Sequence, residues 1–428
     1  MSFEGFVKYK LGDIVDDIAM GPFGSNIKVE NFISQGVPVI RGQNLNHGGF
    51  EDKNFVFISE EKAHSLKRSL AYPDDLVITH RGTIGQVSII PYNKHPKYLV
   101  SQSQMKLTVN KEYLVPKYLL YFFKSRLGQY ELLKDASQVG VPAIASPTKA
   151  LKNVEIAIPD QLTQKGIVSI LSTLDDKIEL NNRMNKVLEQ MAQAVFKQWF
   201  VDFEFPNENG DPYKSSGGVM EWCEELGKEI PKGWPVTQVS NSIDINPKRI
   251  LKKGTESTYL EMKNLPTFSA RATDWIRREF TSGSKYINGD VLMARITPCL
   301  ENGKTIYVDF LENDEVGWGS TEFIVLRSKN NKALGYAYFL ARSEEFREHS
   351  ISNMSGSSGR QRVPESCYDH YKIPTPPNDI LERFDEITSS VLLRIKRNGT
   401  EAKILSNLRD TLLPKLMSGE IDVSEVEL

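Results

Sequence analysis

Two stretches of this chain align without a gap: LDDKIELNNRMNKVLEQMAQAV, Leu174 to Val195, and VLLRIKRNGTEAKILSNLRDTL, Val391 to Leu412, offset by 391 − 174 = 217 residues. In the first, apolar or core-type residues fall at Ile167, Ile170, Leu174, Ile178, Asn181, Asn185, Leu188, Met191, Val195 and Trp199. In the second they fall at Phe384, Ile387, Val391, Ile395, Asn398, Ala402, Leu405, Leu408, Leu412 and Leu416. Every step is the same in both copies, and a mean spacing near 3.6 gives a helix with one continuous apolar stripe. A proline and a cap candidate precede each stripe, Pro159-Asp160 and Pro377-Asn378-Asp379, and Asp379 and Glu382 have capping-box spacing. Gly399 and Pro414 interrupt the second stripe, which predicts a weak point at the glycine and a kink or early end at the proline.

A helix of roughly 40 residues reaches roughly 60 Å, longer than an ordinary core helix. The stripes are therefore expected to pack together as a coiled-coil spacer. Its core is Ile170, Leu174, Ile178, Asn181, Leu188 and Val195 against Ile387, Val391, Ile395, Asn398, Leu405 and Leu412, with Asn181 and Asn398 as polar register markers.

The segments before the helices repeat more loosely. VIRGQNLN (Val39 to Asn46) resembles YLEMKNLP (Tyr259 to Pro266), and AYPDDLVITHRG (Ala71 to Gly82) resembles KYINGDVLMARI (Lys285 to Ile296), matching Asp75 to Asp290. SQSQMKLTV (Ser101 to Val109) pairs likewise with GSTEFIVLR (Gly319 to Arg327), and PKYLLYFF with LGYAYFLA. The apolar runs DLVITH, QVSIIP, DVLMAR and EFIVLR read as strands. The expected fold is α/β (α+β) and pseudo-twofold: a recognition domain at 1–159, a spacer helix at 160–205, a linker at 206–233, a second recognition domain at 234–377, and a spacer helix with tail at 378–428. Connectivity makes the spacer antiparallel, with the two domains at opposite ends. Two similar heads in this relation suit the twofold of duplex DNA, whose half-sites lie about 34 Å apart per turn. Because the heads differ in sequence, a bipartite, asymmetric target is expected.

Charge agrees with that reading. Residues 1–159 hold 19 Lys and Arg against 15 Asp and Glu, and residues 234–377 hold 19 against 17, whereas 201–233 hold 3 against 8. Cys223, Cys299 and Cys367 form no Cys-x-x-Cys pair or zinc spacing. No apolar run approaches the roughly 18 residues needed for a membrane span, and MSFEGFVKYKLGD lacks the pattern of a secretion signal, so a cytoplasmic location is expected. Enzyme signals are weak. Gly303-Lys304-Thr305 would need a glycine at Pro298 to form a phosphate loop, no N-P-P-[YF] methyltransferase tetrapeptide occurs, and Asp244 with Glu261 and Lys263 only mimics a magnesium nuclease. A nuclease, or a two-headed scaffold that does not bind DNA, is the alternative.

Candidate DNA contacts are basic, hydroxyl or amide residues on glycine-rich loops, where backbone approaches phosphate and long side chains reach base edges. They are Ser25, Asn26, Lys28, Arg41, Asn44, His80 and Arg81 in the first head, and Lys263, Asn264, Arg295, Lys304, Arg360 and Arg362 in the second. No catalytic or metal-binding set is expected. Phe196, Trp199 and Phe200, in the aromatic end of the first helix, are candidates for a partner interface; a core role is expected for Trp199, and at least one aromatic of this end should meet another subunit or the second head.

GPFGSNIK (Gly21 to Lys28), GVPVIRGQNL (Gly36 to Leu45), DLVITHRGTIGQVSIIP (Asp75 to Pro91), the helix LDDKIELNNRMNKVLEQMAQAVFKQWFVDFE, ELGKEIPKGW (Glu225 to Trp234) and the tail LLPKLMSGEI occur in that order. Over nearly the whole chain this resembles the specificity subunit of type I restriction-modification enzymes. His80 stands where Arg295 stands in the other half, a departure that leaves no shared base contact to infer there. The resemblance implies a subunit without catalysis and without a cofactor of its own. It also implies double-stranded DNA as ligand and two methyltransferase subunits, which use S-adenosylmethionine and dock on the helices. Restriction subunits, motor-nucleases that use ATP and magnesium, complete the implied complex.

Overall fold

The computed structural model describes residues 5–46, 49–92, 95–137, 140–312, 314–357 and 359–423. The outer ends of the first and last expected segments, and Ser358 of SGSSGRQR, lie outside them. The chain divides into two compact units, Met1–Asp176 with Leu405–Leu428, and Lys177–Ile404. This division passes inside both long helices, so each unit keeps the helical segments packed on its own sheets.

The first unit contains β1 (Val7–Lys10), β2 (Val15–Met20), β3 (Val37–Ile40), β4 (Val56–Ile58), β5 (Leu70–Ala71), β6 (Leu76–Thr79), β7 (Val87–Ile89), β8 (Tyr98–Val100), β9 (Gln104–Val109) and β10 (Glu155–Ile158). Its helices α1 (Pro116–Lys124) and α2 (Arg126–Leu133) precede α3 (Gln161–Phe200). In the second unit, β11 (Val236–Gln238), β12 (Ile243–Ile245), β13 (Glu256–Leu260), β14 (Ile276–Glu279) and β15 (Ser284–Tyr286) come first. Next are β16 (Val291–Ala294), β17 (Thr305–Tyr307), β18 (Gly317–Gly319), β19 (Phe323–Ser328) and β20 (Lys372–Pro374), with α4 (Leu334–Ala341) and α5 (Glu344–Ser352) before β20 and α6 (Asn378–Met417) after it.

In their two four-stranded sheets, the two units have one topology. The first has an antiparallel sheet β2-β9-β6-β7 and a sheet β4-β3-β8-β5 whose central pair β3 and β8 is parallel. The second has β12-β19-β16-β17 and β14-β13-β18-β15, again with the central pair β13 and β18 parallel. The ribbons β1-β10 and β11-β20 also correspond. The match extends to single residues. Asp75 and Asp290, both buried, accept the amide N–H of Tyr72 at 2.8 Å and of Ile287 at 2.9 Å and so close the same turn before β6 and β16.

Residue numbers run in opposite directions along the paired helices within each unit. In the second unit, Asn181 Nδ2 donates to Glu401 Oε2 at 3.0 Å, Asn398 Nδ2 to Asn185 Oδ1 at 2.9 Å, and the rings of Phe200 and Phe384 lie 5.0 Å apart. In the first, Asp175 takes Arg409 Nη1 at 2.7 Å, and Gly166 lies against Val423. Asn181 and Asn398 are buried as register markers should be, but each bonds another residue across the pair rather than its counterpart.

The apolar seam needs correction. Ile395 is buried, while Ile170, Leu174, Ile178, Leu188, Val195, Val391, Leu405 and Leu412 are half-buried. Ile387 is 41% exposed, and Thr388 takes the buried place beside it. Fully buried Leu171, Ala192 and Phe196 lie one residue beyond the expected Ile170, Met191 and Val195. Each helix packs on sheet-bearing parts of its unit as well as on the other helix, which widens and turns the buried sector.

Nor is the second helix interrupted. A Cβ at Gly399 would stand 2.8 Å from Arg271 Nη1, which donates to Lys396 O at 2.8 Å and Thr400 Oγ1 at 2.9 Å, so the glycine makes room for an arginine across the helix. Pro414 sits in the last turn, where its missing N–H removes one hydrogen bond near an end that frays anyway. The expected linker is likewise folded. Met220–Cys223 pairs with Lys228–Pro231, and Phe205 stacks on Tyr213 and Trp234 at 4.6 and 5.1 Å.

Candidate nucleic-acid interface

In the first unit four loops meet at one end of the β2-β9-β6-β7 sheet. Gly21 N donates to Gln104 O at 2.9 Å, and a Cβ there would come within 1.9 Å of Ser101 O, so only glycine permits this approach. A Cβ on Gly24 would meet Gln102 Oε1 at 2.7 Å. His80 N donates to Ser103 O at 3.0 Å, and its Nε2 lies 3.1 Å from Gln102 O. The Arg41–Asn44 turn joins through Gln86, whose Nε2 donates to Leu45 O at 2.7 Å. On this framework Ser25, Asn26, Lys28 and Arg81 are exposed. Arg41 is half-buried, its Nη2 donating to Asn54 O at 3.2 Å.

Two candidates of this unit are structural. Asn44 is 1% exposed; its Oδ1 accepts Arg41 N at 3.0 Å and its Nδ2 donates to Glu51 O at 3.1 Å and Lys53 O at 2.8 Å, which leaves it nothing for a base. His80 is also buried, and burial pushes its imidazole below the ordinary histidine value. In its neutral form the Nε2–H donor serves Gln102 O.

The second unit builds the same corner differently. Ile144 N donates to His80 O at 2.9 Å and Val363 N to Arg295 O at 2.9 Å, so His80 and Arg295 are backbone equivalents. The Arg295 side chain is engaged inward, with Nη2 on Val363 O at 2.6 Å and Nη1 on Glu365 Oε1 at 3.3 Å. Arg362 pairs with Glu322 at 2.6 Å, and Lys304 Nζ donates to Met262 O at 3.0 Å. Arg295 and Lys304 therefore brace loops, Arg362 is held by a carboxylate yet half-exposed, and Arg360 is free of any ion pair among the described residues. Lys263 is exposed and pairs with Glu261, and Asn264 is half-buried. Asp244 pairs with Lys329 at 3.7 Å and Glu261 with Lys263, and among the described residues no group of three or more His, Cys, Asp and Glu could hold a metal.

The β12–β13 loop supplies cations missing from the candidate list. Lys248, Lys252 and Lys253 are exposed around Ile250. Four cations in six residues (Lys248, Arg249, Lys252, Lys253) directly after a strand were the available signal.

Phe196, Trp199 and Phe200 are 2, 5 and 7% exposed, in one core with Tyr336, Phe339 and Phe384. They hold α3 to the sheets of the second unit and cannot face a partner. The apolar residues left bare on the long helices are others. Val187 and Met191 are 48 and 60% exposed, and their 217-offset counterparts Ile404 and Leu408 are 62 and 44% exposed.

A duplicated α/β recognition fold, each copy carrying a corner of amide and basic loops, defines a two-headed sequence reader. Residues 4–190 match the family model described as the type I restriction modification DNA specificity domain. The chain is 28% identical over 368 residues to the type I restriction enzyme MjaIX specificity subunit of Methanocaldococcus jannaschii, covering 82% of this chain and 78% of that one. It is 24% identical to the HindI specificity subunit of Haemophilus influenzae, covering 77% and 82%. In fold it is similar to the crystal structure of the S subunit of a type I restriction-modification system from M. genitalium, with a TM-score of 0.52, 15% identity and 96% of each chain covered. Over most of its length the chain is similar to the specificity subunits of type I restriction-modification systems.

Proposed function

We propose that this chain binds duplex DNA at a bipartite, asymmetric sequence, one half-site per recognition domain, and brings partner subunits that perform the chemistry. The observation that carries the proposal is one backbone frame built twice with two different sets of loop side chains. A shared frame sets both domains on DNA in the same manner, while unlike loops read unlike bases. In this reading Ser25, Asn26, Lys28, Arg41 and Arg81 contact one half-site, and Lys263, Arg360, Arg362, Lys248, Lys252 and Lys253 the other. Exposed arginines suit guanine edges and Asn26 suits adenine, each good bidentate contact giving about 1–3 kcal/mol of discrimination.

The bare apolar positions Val187, Met191, Ile404 and Leu408 form two equivalent docking faces, which fits a pair of methyltransferase subunits. S-adenosylmethionine would be bound by those subunits, and ATP and magnesium by restriction subunits, in the cytoplasm; no helix among the described residues is long and apolar enough to cross a membrane. The test is co-expression with the cognate methyltransferase subunit and genome-wide mapping of methylated bases. A split, asymmetric motif is expected. Methylation without a motif, or an unbroken palindrome, would overturn the proposal.

A further inference from the structure

The loops between β2 and β3 and between β12 and β13 occupy the same place in the duplicated topology but share no sequence. Each nevertheless holds large apolar side chains in water: Phe23 is 72%, Val29 82% and Ile33 44% exposed on the first, and Ile250 is 89% exposed on the second. Both are braced at the base. Beside Phe23, the close approaches of Gly21 to Ser101 O and of Gly24 to Gln102 fix the backbone, and Asn26 N donates to Phe23 O at 2.8 Å. Beside Ile250, Arg249 Nη2 donates to the fully buried Asp290 at 3.1 Å, and Lys285 Nζ to Arg249 O at 3.3 Å.

In this arrangement neither Phe23 nor Ile250 packs on its own unit, and burial against a ligand would relieve the cost of its hydration. Exposed cations lie on both loops: Lys28, 3.7 Å from Glu30, on one, and Lys248, Lys252 and Lys253 on the other. An apolar tip with a cation on the same loop complements a nucleic-acid duplex, with phosphates at the rim and base faces within.

We propose that Phe23 and Ile250 are wedges, each entering a groove and partly unstacking one base step of its half-site while the neighbouring lysines hold phosphates. The inference rests on the DNA-reading function and adds a mechanical element to it. Unlike hydrogen-bonding contacts, a wedge selects for base steps that unstack easily.

The test uses the chain assembled with its methyltransferase subunits on the duplex defined by methylation mapping, with 2-aminopurine placed in turn at positions of each half-site. A several-fold fluorescence rise at one step per half-site is expected, lost at one half with Phe23→Ala and at the other with Ile250→Ala. Each variant should lose at least tenfold in specific affinity at an unchanged salt slope, whereas Lys252→Ala should lower the slope by about one. Both wedge variants remove exposed side chains, so unchanged unfolding curves serve as the folding control. If wild type binds its site tightly while Phe23→Ala and Ile250→Ala bind and fluoresce alike, the wedge is wrong and the reading function stands. If the variants instead fail to assemble with the methyltransferase, the tips are protein-docking residues and the proposal falls. A wild-type complex with no specific affinity overturns the reading function, and the wedge with it.

Discussion

Replacing Glu189 with alanine should loosen the second unit more than any other single change on the long helices. Glu189 is 6% exposed; its carboxylate accepts Ala270 N–H at 2.6 Å and the Tyr338 hydroxyl, and lies 3.3 Å from Arg342 Nε. Burial and the facing carboxylate push the Tyr338 hydroxyl well above the usual phenol value, so it stays a donor at any working pH. Alanine strands two buried donors, the Tyr338 hydroxyl on α4 and Ala270 N–H, and takes the carboxylate from the half-buried Arg342, which keeps Gly303 O and Thr267 O. A hydrogen bond to a charged acceptor contributes about 1.5–3 kcal/mol, but three donors sharing one carboxylate do not add. Breaking a buried pair from one side costs about 3–5 kcal/mol, and that is the expected loss. Trp199, Trp222, Trp234, Trp275 and Trp318, all the tryptophans of the chain, lie in this unit, so urea unfolding followed by their fluorescence isolates it. With a slope of about 2–3 kcal/mol per molar, the midpoint should fall by about 1–2 M. Glu189→Gln, which keeps an acceptor without the charge, should fall between. A loss under about 1 kcal/mol for alanine would refute the claim that this network anchors the helix.

Gly399→Ala should fail to gain the about 1 kcal/mol that alanine normally gives a helix, because it displaces Arg271, and should gain it in an Arg271→Ala background; the same urea assay checks this as a double-mutant cycle. Asn44→Ala should destabilise the first unit by about 2–4 kcal/mol through buried groups left without partners, measured by hydrogen exchange in β3 and its turn; a stable variant with weakened DNA binding would make Asn44 a contact after all. His80 titrates lower folded than unfolded, so its contribution is complete above about pH 6.5 and is lost as pH falls through that value toward the folded one. Calorimetry between pH 7.5 and 5 should therefore show a steeper loss for wild type than for His80→Asn, and equal slopes would count against the assignment; these pH limits are about one unit either side of the ordinary histidine value.

The duplication was legible because helix periodicity and an ungapped 217-residue offset survive loop divergence, and because Asp75 and Asp290 close identical turns. The exact seam was not. A 3.6-residue stripe gives the mean direction of burial, but Ile387 gives way to Thr388 once sheets compete with the facing helix for the same helix surface. Gly399 looked like a defect because sequence offers no view of Arg271, 128 positions away (399 − 271), filling the space. Among the loop candidates, residue type alone could not separate Arg81, exposed, from Arg295, turned inward onto Val363 and Glu365, since both occupy turns after equivalent strands. For the aromatic end of α3, sequence left a partner subunit and the second head as alternatives, and the second head is the one found. Aromatic residues on several faces fit either a partner or a second domain of the same chain, and Tyr336 and Phe384, remote in sequence, supply the intramolecular answer.

Independent reading by the two domains is tested most directly by exchange. Residues 1–159 are replaced with the corresponding segment of a type I specificity subunit of known motif, and methylation is mapped genome-wide with the methyltransferase subunit present. One half of the motif should change to that of the donor, with the other half preserved. Alteration of both halves, or of neither, would contradict the account.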